Sequence, residues 1–351
     1  MPFTKPSINV GVIGLGMGQS LFVAHELPGS TMRVTAICDV NQERLADVRA
    51  RHGVPFATTD WRELVQRDDL DLVGVYSPDA LHCEHVVAAL EHGKHVICTK
   101  PMVTSLDDAK KVLAKVQDTG LKFLVGQTCR FNEHRQIAKR FVDEGRYGRL
   151  VYVEATYNHD IRAVLDGTAW RYEMPQDFLY GGLCHPMDLV MWIGGRIKSV
   201  SAIASRGNLD SRYPEGLDTN WLVNIRFANG AIGRVIGLYD FIHPEGMPYI
   251  ELTISGTEAA SWEQKITWHK DHTKRLVEEI GKYSDERREG TDHRGHGGEV
   301  AQYLLHFEKC LRKDLDPEPG ALTGTRVIAA LHAVRESANK GGCPVEVEWE
   351  A

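Results

Sequence analysis

Residues 1 to about 126 alternate short apolar runs with amphipathic stretches, and no feature restricts the fold more. Strands are expected at 8–13, 32–38, 72–76, 94–98 and 122–126, with helices at 17–27, 41–52, 60–67, 80–92 and 105–119. Strands that alternate with helices make a parallel sheet covered on both faces. Ligands of such doubly wound sheets sit at the carboxyl ends of the strands.

Two strand ends carry chemistry. Val10-Gly11-Val12-Ile13 runs into Gly14-Leu15-Gly16-Met17-Gly18-Gln19. Two glycines so spaced make a tight turn and let the backbone approach a pyrophosphate at a helix start. The third glycine of the dinucleotide fingerprint belongs at position 19, where this chain has Gln19, with Gly18 one place early. Asp39 ends the second strand, where a carboxylate binds both adenosine ribose hydroxyls and repels a 2′-phosphate, which favours NAD over NADP. Further on, a helix stops at Gly93, a strand follows, and Lys100 is delivered against Pro101 at its carboxyl end.

From about residue 149 the rhythm changes. Strands are expected at 150–157, 197–206, 219–227, 231–238 and 249–255, joined by turns, with Asn229-Gly230 a hairpin signal and one helix near 185–193. This predicts a large, mostly antiparallel sheet. The fold class is therefore α/β plus α+β: a Rossmann domain at 1–126 that binds NAD, and at 127–351 an α+β domain for substrate binding and oligomerisation. The charged segment 271–298 reads as a loop with at most one helical turn, either a surface insertion or a substrate-side lid. Helices follow at 299–313 and 322–339, the second able to pack back on the first domain.

The chain resembles the glucose–fructose oxidoreductase, inositol dehydrogenase and rhizopine-catabolism (Gfo/Idh/MocA) family. The resemblance rests on the Gly14/Gly16 loop, Asp39, Ser77-Pro78-Asp79 with His82, Gly93-Lys94-His95-Val96, Lys100-Pro101, Arg130-Phe131, Trp170-Arg171 and His185-Pro186-Met187-Asp188, which run in the family's order. It implies an NAD-dependent dehydrogenase of carbohydrate metabolism, acting on a secondary alcohol of a sugar, a cyclitol such as inositol, or a glycoside. Two alternatives stay open: an enzyme that retains NAD while cleaving glycosides or interconverting sugars, and a sugar-sensing regulator without catalysis.

The resemblance assigns Lys100 and His185 to proton exchange with the substrate hydroxyl. An ammonium beside a cationic nicotinamide gives up its proton more readily, and an imidazole titrates near neutrality. It places Gly14, Gly16, Met17, Gly18, Asp39, Ser77, Pro78, His82, Lys100 and Arg130 at the cofactor. Tyr157, His159, Trp170, Arg171, Tyr180 and His296 join Lys100 and His185 at the substrate. Two departures stand out: Thr99 where the family usually has a glutamate, and Gly181 where many members carry an aspartate one turn before the histidine. Asp177 and Tyr180 are the candidates to replace that acid.

The net charge of −7 and the lack of a long basic run argue against a nucleic-acid surface. No apolar run reaches transmembrane length and no secretory leader is seen, so no membrane partner is expected. Seven scattered cysteines without a Cys-x-x-Cys pair fit reduced thiols in a cytoplasm, and the sixteen histidines show no metal-ligand spacing. The partner expected is a small sugar or polyol, with the second-domain sheet building a homodimer or homotetramer.

Overall fold

The computed structural model describes residues 2–168, 170–174, 176–211, 213, 215–271, 274–283 and 298–348. The chain divides into two compact units, Met1–Thr128 with Gly290–Thr325, and Cys129–Glu289 with Arg326–Ala351.

The first unit is built on six parallel strands, β1 (Ile8–Ile13), β2 (Met32–Cys38), β3 (Phe56–Thr58), β4 (Leu72–Val75), β5 (His95–Thr99) and β6 (Phe123–Gly126). Their order is β3-β2-β1-β4-β5-β6, the doubly wound arrangement that reverses direction between β1 and β4. Burial of β4 and β6 on both faces explains their unbroken apolar runs. β3 was not expected, because its three residues at a sheet edge are too short to show a periodicity. The helix after β1 is wound as 3-10 turns over Met17–His25. Helix Gln42–His52 begins at Asn41, whose side chain accepts from the Arg44 N–H, and ends at left-handed Gly53, so both its ends are legible locally.

Residues 298–325 were expected in the second domain, and the structure places them with the first. Helix Glu299–Lys313 packs on the 3-10 helix. Its buried Glu308 accepts from Ser30 Oγ at 2.9 Å and from the Thr31 N–H at 2.9 Å, and the hydroxyls of Tyr303 and Tyr76 are hydrogen-bonded. A helix's apolar stripe records that it is covered, not which sheet covers it, so the misplacement has a physical cause. Helix Ala321–Asn339 crosses the division: Thr325 Oγ1 donates to the Ala109 carbonyl within the first unit, while Ser337 Oγ accepts from the Ala202 N–H within the second.

The second unit holds a nine-stranded sheet: β7 (Leu150–Asn158), β8 (Ile197–Ser205), β9 (Asn220–Phe227), β10 (Ile232–Leu238), β11 (Ile250–Gly256), β12 (Ala259–Trp262), β13 (Lys265–Asp271), β14 (Lys274–Glu279) and β15 (Val345–Glu346). The order is β14-β13-β12-β11-β7-β10-β9-β8-β15. It is mostly antiparallel, as expected, with one parallel pairing, that of β7 with β10. The chain leaves β7 through helix Cys184–Gly194 and reaches β10 by way of β8 and β9, so β10 returns in the direction of β7.

The start of the supposed 271–298 loop is strand, with β13 and β14 forming an antiparallel pair; its dense charges hid the alternation. Residues 284–297 lie outside the described residues. Helix Glu133–Asp143 was also not anticipated, although Asn132 caps it and Ile137, Ala138 and Phe141 bury one face. One face of the sheet packs on helix Cys184–Gly194, with Val153, Ala155, Trp221, Val223, Val235 and Ile254 fully buried. On the opposite face Ile203, Leu222, Ile232, Trp262 and Val277 are exposed.

Candidate active site

In the first unit, the strand-order reversal brings the end of β1 beside the end of β4. Gly14 has φ +89°, and a Cβ there would stand 2.4 Å from the Tyr76 carbonyl oxygen, so only glycine makes this turn. Gly16 faces open space, as a backbone that must admit a pyrophosphate requires. A Cβ on Gly18 would lie 2.8 Å from the Val12 side chain, so Gly18 serves the close helix-to-strand packing assigned to the fingerprint's third glycine. Gln19 instead donates from Nε2 to the Leu15 carbonyl at 2.6 Å and accepts from Arg51 at 2.9 Å. Met17, beside the loop, is exposed.

Asp39 is buried at the end of β2. Its carboxylate accepts from the Leu15 N–H at 2.7 Å and the Asn41 N–H at 2.8 Å, tying the glycine loop to the ribose-binding position. Arg44 lies 3.3 Å from the same carboxylate. Lys100 follows β5, three strand spacings from β2, a span of roughly 14 Å at about 4.8 Å per step. Asp39 and Lys100 thus stand at opposite ends of the row of strand termini that an extended dinucleotide would follow. These features fit NAD.

The turn bearing Lys100 is held from below. The His82 ring nitrogens lie 2.8 Å from the Pro101 carbonyl oxygen and 2.9 Å from the Ser77 carbonyl oxygen, linking the loops after β4 and β5. Burial draws the His82 pKa down although Asp79 pulls the other way. Its role in the structure is a tether. Ser77 Oγ bonds His85 Nδ1 at 2.8 Å, and Pro78 leads into the turn Asp79–Leu81. Lys94 is buried and donates to the carbonyls of Arg67 and Leu70, a structural anchor.

In the second unit, His185 opens helix Cys184–Gly194 and is buried. Its ring stands edge-on to Tyr157 at 5.6 Å, and its Nδ1 meets the Cys129 thiol at 3.5 Å. Tyr157 OH and His159 Nδ1 are 3.1 Å apart, and Tyr239 packs edge-on to Tyr157 at 5.5 Å. Burial pushes the phenols of Tyr157 and Tyr239 well up, so both stay protonated as donors.

Arg130, expected at the cofactor, makes a buried bidentate pair with Asp188: Nε to Oδ2 at 2.6 Å and Nη2 to Oδ1 at 2.7 Å. Within this unit its task is to fasten the turn Thr128–Phe131 to the histidine's helix. Arg171 donates to Thr168 Oγ1 at 2.7 Å and Gln176 Oε1 at 3.3 Å.

Neither residue considered as a replacement acid fills the place at Gly181. Asp177 caps helix Phe178–Gly181 and pairs with Arg335, and Tyr180 is buried. A Cβ on Gly181 would instead lie 2.5–2.7 Å from the Gln176 side chain, so a neutral amide packs where a side chain at 181 would stand. Gln176, Cys129 and Tyr239 were not among the expected site residues. Only Cys129 had a signal, as a cysteine beside a predicted buried strand. The Trp170 side chain and His296 fall outside the described residues. No metal-binding cluster of His, Cys, Asp or Glu occurs among the described residues.

Fold and site together define a two-unit oxidoreductase with a dinucleotide-binding sheet. Residues 8–127 match the profile described as oxidoreductase family, NAD-binding Rossmann fold, and residues 136–261 match the GFO/IDH/MocA C-terminal domain. The chain belongs to the Gfo/Idh/MocA oxidoreductase family, and its cofactor is NAD. It is 28% identical to levoglucosan dehydrogenase of Pseudarthrobacter phenanthrenivorans over 285 residues, 72% of this chain and 73% of that protein. A glycosyl hydrolase family 109 protein of Streptomyces niveus is 25% identical over an alignment covering all of this chain and 80% of that protein. Among solved structures, levoglucosan dehydrogenase in complex with NADH and levoglucosan superposes with a TM-score of 0.86 at 25% identity, covering 98% of this chain and all of that one.

Proposed function

We propose that the protein oxidises a secondary carbinol of a sugar, an anhydrosugar or a cyclitol, with Lys100 and His185 exchanging the hydroxyl proton. The observation that carries this reading is Lys100 at the end of β5, in the row of strand ends that begins at Asp39 and the Gly14/Gly16 loop. The likeness to levoglucosan dehydrogenase supports a sugar-like substrate. NAD, when bound, supplies the hydride acceptor.

Lys100, on a turn tethered by His82, shares in that exchange, and its ammonium form steadies the oxygen as negative charge develops there. His185 takes or returns that proton, and Tyr157 with His159 forms the polar wall beside it. Arg171, oriented by Thr168 and Gln176, is assigned to the substrate's remaining hydroxyls. The uncovered apolar residues of the sheet are assigned to a dimer or tetramer contact. The seven cysteines, present as thiols with six of them buried, support a cytoplasmic setting.

The test is NADH absorbance with purified protein, NAD and a panel of anhydrosugars, sugars and cyclitols. Lys100→Met should abolish turnover while NAD still binds; retained turnover would refute the assignment. The relatives named as glycosyl hydrolases favour a second reading, in which NAD is retained and a glycosidic bond is cleaved. Release of aglycone without net NADH would select it.

A further inference from the structure

We propose that Cys129 is a positioning residue for catalysis, its thiol holding the His185 ring through Nδ1. This rests on His185 exchanging the substrate proton as proposed above.

The contact is a built one. Sγ and Nδ1 are 3.5 Å apart, with Cys129 3% and His185 5% exposed. Cys129 lies in the turn Thr128–Phe131, whose next residue, Arg130, grips Asp188 one helical turn beyond His185. The sulfur and the ring are therefore carried on two segments locked by a bidentate ion pair, one residue from the cysteine and three from the histidine. A thiol is both a weak donor and a weak acceptor. It satisfies Nδ1 when that nitrogen is bare, and equally when it carries a proton. With Nδ1 committed to sulfur, the proton exchanged with the carbinol travels on Nε2.

A carboxylate at the same place would favour the imidazolium and raise the ring's basicity. A thiol brings no such charge, and the space at Gly181 is likewise filled by a neutral amide, that of Gln176.

The experiment measures the single-turnover rate of NADH formation against pH for Cys129→Ala, Cys129→Ser and His185→Ala, with NAD affinity in parallel. Loss of one weak hydrogen bond predicts a rate about five- to tenfold lower for Cys129→Ala, with NAD affinity unchanged. Cys129→Ser, which keeps a donor–acceptor atom, should recover most of the rate, with a displaced acid limb in the pH profile. If Cys129→Ala folds poorly, Cys129→Val fills a similar volume without a polar atom and takes its place. A wild-type rate and pH profile in the apolar variant, or no rescue by serine, overturns the proposal. Full activity in His185→Ala would show instead that the underlying assignment of His185 fails.

Discussion

Replacing Asp188 by alanine removes a carboxylate that takes two N–H donors of Arg130, at 2.6 and 2.7 Å. The two side chains are only 1% and 9% exposed, so water reaches the guanidinium poorly. At an effective dielectric of about 20, unit charges some 4 Å apart attract by about 4 kcal/mol. Removing one partner of a buried pair destabilises by about 3–5 kcal/mol, because the other charge is left uncompensated. Replacing both partners by apolar residues is often nearly neutral. The measurement is urea unfolding followed by tryptophan fluorescence, for which Trp192 is a local reporter, its ring 5.4 Å from the Arg130 guanidinium. Asp188→Ala should lose about 3–5 kcal/mol, and the double variant Arg130→Met with Asp188→Leu less than half of that. A single variant costing under about 1 kcal/mol, or a double variant at least as unstable as the single, would refute the reasoning.

Gly14→Ala puts a Cβ against the Tyr76 carbonyl in a left-handed turn, and NADH affinity by fluorescence titration should fall at least about tenfold. Burial pushes the pKa of both His85 and His95 down to about 4, so between that value and about 6.5 the unfolded chain binds protons that the folded chain refuses. Stability is therefore fully present above about pH 6.5 and is lost as pH falls toward 4, by up to about 1.4 kcal/mol per pH unit for each histidine. His95→Asn should flatten that slope in urea titrations between neutral and acidic pH; an unchanged slope would remove His95 from the account. Light scattering on a gel-filtered sample should give a dimer or tetramer, and Leu222→Lys with Ile232→Lys should shift it toward monomer.

By itself the sequence determined five of the six strands of the first unit's sheet and the strand ends that carry its candidate chemistry. Strand and helix differ in the period of their apolar residues, so β1, β2, β4, β5 and β6 were readable from neighbours alone, and Gly14, Asp39 and Lys100 fall at strand ends by simple succession. The helix at 299–313 was equally plain, because its stripe repeats along its own length. What could not be read was partnership between residues far apart in the chain. Nothing near Glu308 announces that it will meet Ser30 and Thr31, nothing near Arg130 names Asp188, and Gly181 does not say that Gln176 will fill its space. The parallel pairing of β7 with β10, and the thiol of Cys129 against His185, belong to the same class. A local pattern records which face of a segment is buried. Which group lies across that face depends on how distant segments pack in three dimensions, and only the tertiary structure decides it.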